Sequence, residues 1–250
     1  MKKKSEIYSR REFFKQAAKG VLPILGLTIL GPTLISSCGK DDDEPGGSGS
    51  KNHEYVDLGL PSGTLWATCN IGADSPEDYG DYFAWAETKG YKGGKTNFDV
   101  ETYKYGLPDG KLTKYCSDSD RGIVDNKREL EPSDDAATVN WGSSWRMPSK
   151  AQIDELINSK YTTTTWTNQG GVNGLMIVSK SNGKSIFLPA AGSFRGTSLK
   201  QTGSSGKYWS REPRIQGNNA YILNSRSDVI ETSSSDREVG LSVRPVRVQK

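Results

Sequence analysis

The chain has 250 residues, of which 25% are charged, and its formal net charge at pH 7 is +3. This length is enough for one domain with a substantial core and appended segments. The first 37 residues hold seven of the 33 basic and two of the 30 acidic side chains, so 26 basic and 28 acidic side chains remain. The positive charge therefore belongs to the N-terminal segment, and the rest shows no basic stripe of the kind that binds nucleic acid.

Residues 1–37 have the parts of a bacterial export signal. The segment Ser9–Lys15, reading SRREFFK, resembles the twin-arginine signal, and an apolar stretch follows from Val21 to Ile35. That stretch contains two prolines and is short for a bilayer span, which disfavours the alternative of an uncleaved membrane anchor. Residues 35–38, reading ISSC, match the site at which a signal peptide is cut before a lipid-modified cysteine. We therefore expect a mature protein that begins at acylated Cys38 and is held to the membrane by its lipid.

Residues 38–52 predict a flexible tether. They include the acidic run DDDE at 41–44 and the run PGGSGS at 45–50, a composition that is too polar to fold. An acidic cluster just after an acylated cysteine resembles the surface-export signal of Bacteroidota lipoproteins, with an ordinary solvated spacer as the alternative. The expected location is therefore the outer membrane, with a domain of residues 53–250 displayed at the cell surface.

The first half of that domain predicts short strands followed by an irregular segment. Glu54–Leu58 and Leu65–Ile71 are predicted strands on either side of a Pro-Ser-Gly turn. The aromatic residues of Tyr79–Trp85 are predicted to lie in the core. Residues 89–132 have no clean period, and we expect an irregular segment with one hairpin. Its three aspartates between residues 118 and 125 lack the spacing of an EF-hand, which favours a solvated loop over a calcium site.

Cys69 and Cys116 are the two cysteines that remain once Cys38 is acylated. An even pair in an exported domain predicts a disulfide. Twin-arginine substrates fold in the reducing cytoplasm, however, so two free buried thiols are the alternative.

The second half of the domain begins with a predicted helix. Ser149 can cap its N-terminus with Gln152 as the reciprocal partner, and the apolar residues that follow lie on one face. The pair Asp134–Asp135 precedes an alanine-rich run, so we interpret it as an N-terminal cap rather than as two catalytic carboxylates. Tyr161–Trp166 and Leu175–Ser179 are predicted strands, and the Ser-Asn-Gly sequence at 181–183 predicts a hairpin turn into a third strand.

Six segments, in order along the chain, resemble the Fibrobacter succinogenes major paralogous domain family. They are VDLGLPSGTLWATCNIGA (56–73), PEDYGDYFAWAET (76–88), SDDAATVNWGSSWRMPSKAQIDELI (133–157), NGKSIFLPAAG (182–192), YWS (208–210) and GLSVRPVR (240–247). The resemblance implies an α+β, C-type lectin-like domain with small twisted antiparallel sheets, one or two helices and long irregular loops. It also implies that the first and last strands pair, which would place Tyr55–Leu58 beside Val243–Val248.

The resemblance does not bring an enzymatic site with it. The related formylglycine-generating enzymes rely on cysteines near the C-terminal end, and no cysteine follows Cys116. Calcium-dependent lectins bind the metal through a Glu-Pro-Asn or Gln-Pro-Asp motif. The most similar segment here is Glu212–Arg214, in which arginine replaces the residue with the neutral oxygen donor. His53 is the single histidine, so a histidine-based triad cannot be assembled. We expect no catalytic activity, no cofactor and no bound metal.

The C-terminal region is the predicted binding surface, because short apolar phrases alternate there with loops rich in Arg, Ser, Asn and Gly. Arginine and large aromatic residues are the side chains that binding hot spots favour, although Tyr208 and Trp209 are alternatively core residues. The candidate ligand-binding residues are Arg195, Ser198, Lys200, Lys207, Tyr208, Trp209, Arg211, Arg214, Ile215, Tyr221, Ile222, Arg226, Asp228, Ile230 and Arg237.

The expected function is the binding of a glycan or protein on a cell, phage or host surface. The family that the chain resembles is placed beside hypervariable proteins whose genes are diversified by retroelements. The resemblance therefore implies that this protein is either a diversified receptor of that kind or a fixed adhesin. A structural subunit of an envelope or pilus assembly and, less favoured, a polysaccharide-acting enzyme are the alternatives.

Overall fold

The computed structural model describes residues 53–215 and 217–247. The expected export signal, the tether and Cys38 lie outside the described residues. Within them the chain forms small sheets and two short helices. The strands are β1 (Tyr55–Asp57), β2 (Leu65–Ala67), β3 (Leu112–Cys116), β4 (Gly122–Val124), β5 (Trp145–Arg146), β6 (Thr162–Gln169), β7 (Val172–Ser179), β8 (Ser185–Pro189), β9 (Ser193–Arg195), β10 (Ser198–Lys200), β11 (Gly206–Pro213), β12 (Asn219–Ser225), β13 (Ile230–Asp236) and β14 (Val246–Arg247), and the helices are α1 (Ala136–Trp141) and α2 (Lys150–Leu156). The expectation of small, mainly antiparallel sheets with one or two helices is confirmed at this level.

Both helices begin where the sequence predicts. The Ser149 hydroxyl accepts from the backbone N–H of Gln152, and the Gln152 side chain accepts from the backbone N–H of Ser149, which completes a capping box for α2. Asp135 caps α1, because its carboxylate accepts from the N–H groups of Ala137 and Thr138. Asp135 also accepts from the N–H of Met147, so the cap ties α1 to the start of α2.

The N-terminal and C-terminal strands share one four-stranded sheet with the order β1-β2-β14-β5. The predicted direct pairing of Tyr55–Leu58 with the last strand is wrong. The tight turn after Leu60 folds β2 back on β1 as a hairpin, so β2 fills the position next to β1. Trp66 on β2 then pairs with Val246 on β14, and β14 reaches β5 on its other edge.

The segment 89–132 is irregular, as predicted, and it contains the expected hairpin, because Gly106 forms an antiparallel bridge with Leu112 around a turn at 107–111. Its two strands, β3 and β4, run parallel and pair only at Leu112 with Gly122 and at Cys116 with Val124. The carboxylate of Asp125, rather than a returning strand, accepts from the backbone N–H groups of Tyr115 and Cys116. That side chain therefore replaces the ladder bonds that an antiparallel return would supply.

The core is built around two reciprocal tryptophan bonds. The Trp85 indole N–H donates to the carbonyl of Ser210, and the Trp209 indole N–H donates to the carbonyl of Phe83, both at 2.8 Å. The prediction that the aromatic residues of Tyr79–Trp85 lie in the core is confirmed for Tyr82, Phe83 and Trp85, which are buried. These bonds fasten β11 to the 82–85 segment and make β11 a rigid base for the C-terminal residues.

Candidate functional site

The three-stranded sheet β11-β12-β13, called here the C-terminal sheet, is covered differently on its two faces. On one face, Tyr208 and Leu223 pack in a core cluster with residues of α2, and Thr232 donates to Asp154 of that helix. Residues opposite each other on neighbouring strands share a face, and the rows Lys207–Asn224 and Ile222–Ser233 belong to the other one. This second face carries a concave surface.

That surface is a cleft of about 240 Å³ between the C-terminal sheet and the segment that contains the β9–β10 hairpin. The hairpin side supplies Arg195, Gln201 and Ser205, and buried Ile222 lies at the base. Polar residues of the sheet complete the lining, namely Lys207, Asn219, Asn224, Arg226, Ser233, Ser234, Ser235 and Asp236. The Ser234 side chain itself lies on the other face, opposite Tyr221, and accepts from Arg214. The lining is dominated by hydroxyl, amide and cationic groups, so the cleft suits a polar ligand.

Positive charge predominates in the cleft. Arg195 pairs with Asp236 at 3.3 Å, and Arg226 reaches Asp228 at 3.5 Å. Lys207 has a different environment, because its amine donates to the neutral amide oxygen of Gln201 at 3.0 Å. Among the described residues it forms no ion pair. Burial, together with the nearby charges of Arg195 and Arg226, lowers the pKa of Lys207.

A strained turn presents the other wall of the cleft. Gln201 has a φ of +59°, a left-handed conformation that is costly for a residue with a side chain. Its carbonyl accepts from the N–H groups of Ser204 and Ser205, which closes the turn. The Ser205 side chain is 1% exposed, and within the described part of the chain its hydroxyl has no hydrogen-bond partner. A buried hydroxyl without a partner is costly, so it is a notable feature of this wall.

Four of the predicted binding residues belong to this cleft, namely Arg195, Lys207, Ile222 and Arg226. Ile222 forms part of the base of the cleft, and its side chain is buried in a core cluster. The sequence did not single out Gln201, Ser205, Asn219, Asn224 or the serines at 233–235. The unusual run of three serines on one strand was the available signal for this polar surface.

Three further candidates are not ligand-binding residues, because the structure buries them. The Tyr208 hydroxyl donates to the carbonyl of Pro189 at 2.6 Å, and Trp209 forms the core bond described above. Arg237 donates to the carbonyls of Tyr115 and Asn219, and its guanidinium lies 4.8 Å from the Trp85 ring centre. Tyr208 and Trp209 lie on opposite faces of the C-terminal sheet, and a core cluster covers each face there. Arg237 follows the last residue of β13 and is buried beside Trp85.

The other candidates lie outside the cleft. Arg211 is half-buried and joins Glu129, the carbonyl of Met147 and Gln152, so its role is structural. Tyr221 lies under Lys150 on the helix-covered face, and Ile230 packs against the core there. The remaining candidates, which are Ser198, Lys200, Arg214, Ile215 and Asp228, are exposed on the surface.

The two cysteines are free thiols in the structure, so the candidate disulfide is not formed. Cys116 ends β3 in the cluster around Phe98 and Phe194, and its thiol donates to the carbonyl of Asp118. Cys69 lies beside Thr68 instead, and burial raises the pKa of its thiol. Each sulfur is thus satisfied in its own surroundings.

The densest group of titratable side chains surrounds Asp134. Its carboxylate accepts from Lys104, Tyr105, Lys114 and Tyr115 at 2.6 to 2.8 Å. Burial alone would raise its pKa, but these four hydrogen bonds hold the pKa well below its usual range. Asp134 is thus a buried ion-pair centre, and only Asp135 of the predicted pair caps the helix.

A scan against protein-family models, a search of curated proteins and a search of solved structures each found no match to the chain. Within residues 53–215 and 217–247, no helix has the length and apolar character needed to cross a membrane. Over the same residues, no cluster of three or more His, Cys, Asp or Glu side chains is arranged to hold a metal ion.

Proposed function

We propose that this protein is a lipid-anchored binding protein of the outer membrane, displayed at the cell surface, and that it binds its ligand in the cleft of the C-terminal sheet. The observation that carries the proposal is the cleft itself, a concave polar surface on strands that the Trp85 and Trp209 bonds hold in place. Binding groups on a rigid scaffold lose little entropy when a ligand arrives. The ligand class is a glycan or a protein.

The proposed fold is a C-type lectin-like domain. Its support is the sequence resemblance, together with small antiparallel sheets and a shared sheet for the chain ends. In this proposal the buried residues of the YWS and SVRPVR segments maintain the scaffold, while polar residues between them meet the ligand. The division is physically reasonable because exposed polar side chains contribute little to folding.

The binding proposal can be tested by filling the cleft without changing its charge. Ser233 lies opposite Ile222 at the base, so a Ser233→Trp substitution should block the cleft. We expect the full-length wild-type protein in detergent to bind specific members of glycan or protein arrays, and Ser233→Trp to bind them at least tenfold more weakly. Thr163→Trp, on an exposed position of β6, is the matched control and should bind normally.

Two results would contradict this proposal. One is a folded wild-type protein that binds nothing on either array. The other is a Ser233→Trp protein with unchanged affinity, which would place the binding site elsewhere. Thermal melting of both tryptophan variants shows whether a loss of binding is a loss of folding.

The proposed anchor makes a separate prediction. The mature protein should begin at Cys38 and carry acyl chains, because residues 35–38 match a lipid-modification site. Intact mass spectrometry of protein extracted from membranes measures this directly, and protease treatment of whole cells tests display at the surface. Cys38→Ala is the control and should lose the acyl mass. A wild-type N-terminus at Met1 would rule out the proposed processing.

A further inference from the structure

The charges that line the cleft favour an anionic ligand, an inference that rests on the proposed function. Arg195, Lys207 and Arg226 line the cleft together with a single carboxylate, that of Asp236. Three positive charges and one negative charge leave an excess of two positive charges among the lining side chains, and of one when Asp228, which lies 3.5 Å from Arg226 outside the lining, is counted. Asp236 is already engaged by Arg195 and by the Asn219 amide, so it is not available to neutralise Lys207.

Lys207 is the cleft cation that has no carboxylate partner among the described residues. Its amine is half-buried beside two arginines, and the hydrogen-bond acceptor it has in the structure is the uncharged amide of Gln201. A half-buried ammonium without a carboxylate partner is unfavourable. An anionic group entering the cleft would relieve that cost and would gain a charge-assisted hydrogen bond.

Ser205 supplies an independent observation on the opposite wall. Ser205 is a residue of the cleft lining, and its hydroxyl is buried and has no partner among the described residues. The neighbouring Gln201 holds its strained φ of +59° in the same turn. Strain and unsatisfied polar groups gather where a ligand completes the local bonding. A hydroxyl can donate to an anion or accept from a ligand hydroxyl.

The rest of the lining indicates the kind of molecule that carries the anion. Asn219, Asn224, Ser233 and Ser235 offer neutral donors and acceptors, which complement the hydroxyl groups of a sugar. The cleft volume of about 240 Å³ is below the usual range for drug-sized ligands and suits one compact unit. An acidic peptide carries one N–H and one C=O per backbone unit, so within this volume it offers fewer hydrogen-bonding groups than a sugar residue with several hydroxyl groups.

We propose that the cleft binds one acidic sugar residue of a glycan, with Lys207, Arg195 and Arg226 facing its anionic group and Ser205 completing its hydrogen bonds. The neutral amides and serines of the sheet contact the hydroxyl groups of the same residue. The anionic group is a carboxylate or a sulfate ester, since both accept from these donors.

The test uses the full-length protein in detergent and calorimetric titration. The probes are an oligogalacturonate, the neutral oligogalactan of equal length, a sulfated galactan oligosaccharide, an oligoglutamate peptide and inorganic phosphate. We expect at least one acidic oligosaccharide to bind at least tenfold more tightly than the neutral oligosaccharide, the peptide and phosphate. Its affinity should fall as salt is raised, because the interaction is between charges. The galacturonate and sulfate arms distinguish the two anionic groups.

Lys207→Met is the decisive variant, since it removes the charge and keeps a long apolar stem. We expect the acidic oligosaccharide to bind at least tenfold more weakly, the loss that corresponds to one charge-assisted hydrogen bond. Lys184→Met, on the β7–β8 turn, removes one positive charge away from the cleft and should bind normally. Arg226→Gln is a second cleft variant at an exposed position and serves if Lys207→Met does not fold.

The outcomes separate this inference from the proposed function. Equal affinity for acidic and neutral oligosaccharides, or unchanged affinity in folded Lys207→Met and Arg226→Gln, overturns the acidic-sugar site. Preference for the peptide or for free phosphate overturns it as well. In each of these cases a cleft that Ser233→Trp blocks would still support the binding proposal, whereas unchanged binding by Ser233→Trp would remove both.

Discussion

Replacing Arg244 with alanine is expected to lower the free energy of unfolding by roughly 3 to 5 kcal/mol. The Arg244 side chain is 1% exposed and has no carboxylate partner among the described residues. It donates instead to the Asn70 side chain and to the carbonyls of Ala67, Thr68 and Phe187. Its loss would leave these buried acceptors unsatisfied around a cavity.

This arginine matters because it joins separate parts of the fold. Ala67 ends β2 and Phe187 lies in β8, so one guanidinium connects the sheet of the chain ends to the β6-β7-β8 sheet. Burial lowers the pKa of Arg244, but a guanidinium remains protonated in proteins. Lysine has a single ammonium nitrogen and cannot donate to all four of these acceptors, so the Arg244→Lys protein should also be strongly destabilised.

Urea unfolding followed by tryptophan fluorescence measures the effect of the Arg244 variants. Arg146→Ala is the matched control, because Arg146 is exposed on neighbouring β5 and should change stability by less than about 0.5 kcal/mol. An Arg244→Ala protein as stable as Arg146→Ala would contradict the structural role assigned to the buried guanidinium.

The second large effect is expected for Asp134→Asn, with a loss of roughly 3 kcal/mol at pH 7. The amide has one oxygen in place of two, whereas four donors converge on the carboxylate. Whichever oxygen it replaces, its nitrogen would face one lysine and one tyrosine donor from which it cannot accept, and Lys104 would lose its ion-pair partner. Asp120→Asn, on the exposed loop after β3, is the control and should be close to neutral.

The effect should depend on pH in a defined direction. The pKa of Asp134 is lowered in the folded state relative to about 4 in the unfolded chain. A group of this kind contributes its stability above the unfolded pKa and loses it as the pH falls towards the folded pKa. The stability difference between wild type and Asp134→Asn should therefore be constant above about pH 5 and shrink below about pH 4. A difference that grew in acid would contradict the assignment.

The features that the sequence predicted correctly are local ones. The capping box of Ser149 with Gln152, the Asp135 cap and the turn at 181–183 each depend on residues a few positions apart. Short-range hydrogen bonds and backbone preferences specify such features before the chain meets any distant partner. The aromatic core of Tyr82–Trp85 was also predictable, because large apolar side chains are usually buried.

The errors concern the choice of partner between elements. β1 pairs with β2 through a short hairpin instead of with the distant last strand, and β3 pairs with β4 in parallel across a short loop. The burial of Arg237 depends on carbonyls of Tyr115 and Asn219 that no local pattern associates with it. A hydropathy scale predicts that arginine is exposed, because it takes no account of the carbonyl groups that accept from a buried guanidinium in the folded protein.

The sequence by itself determined the type of surface, a polar and cationic C-terminal region on short strands, because composition and strand patterns are local properties. Only the tertiary structure decided which of those residues form a site. Ser205 and Gln201 come from a turn after β10, Lys207 from β11, and Ser233 from β13. They meet because β11, β12 and β13 pair in one register and the turn packs over one face of that sheet. Register and packing are long-range outcomes of folding, so the cleft could not be read from the order of residues.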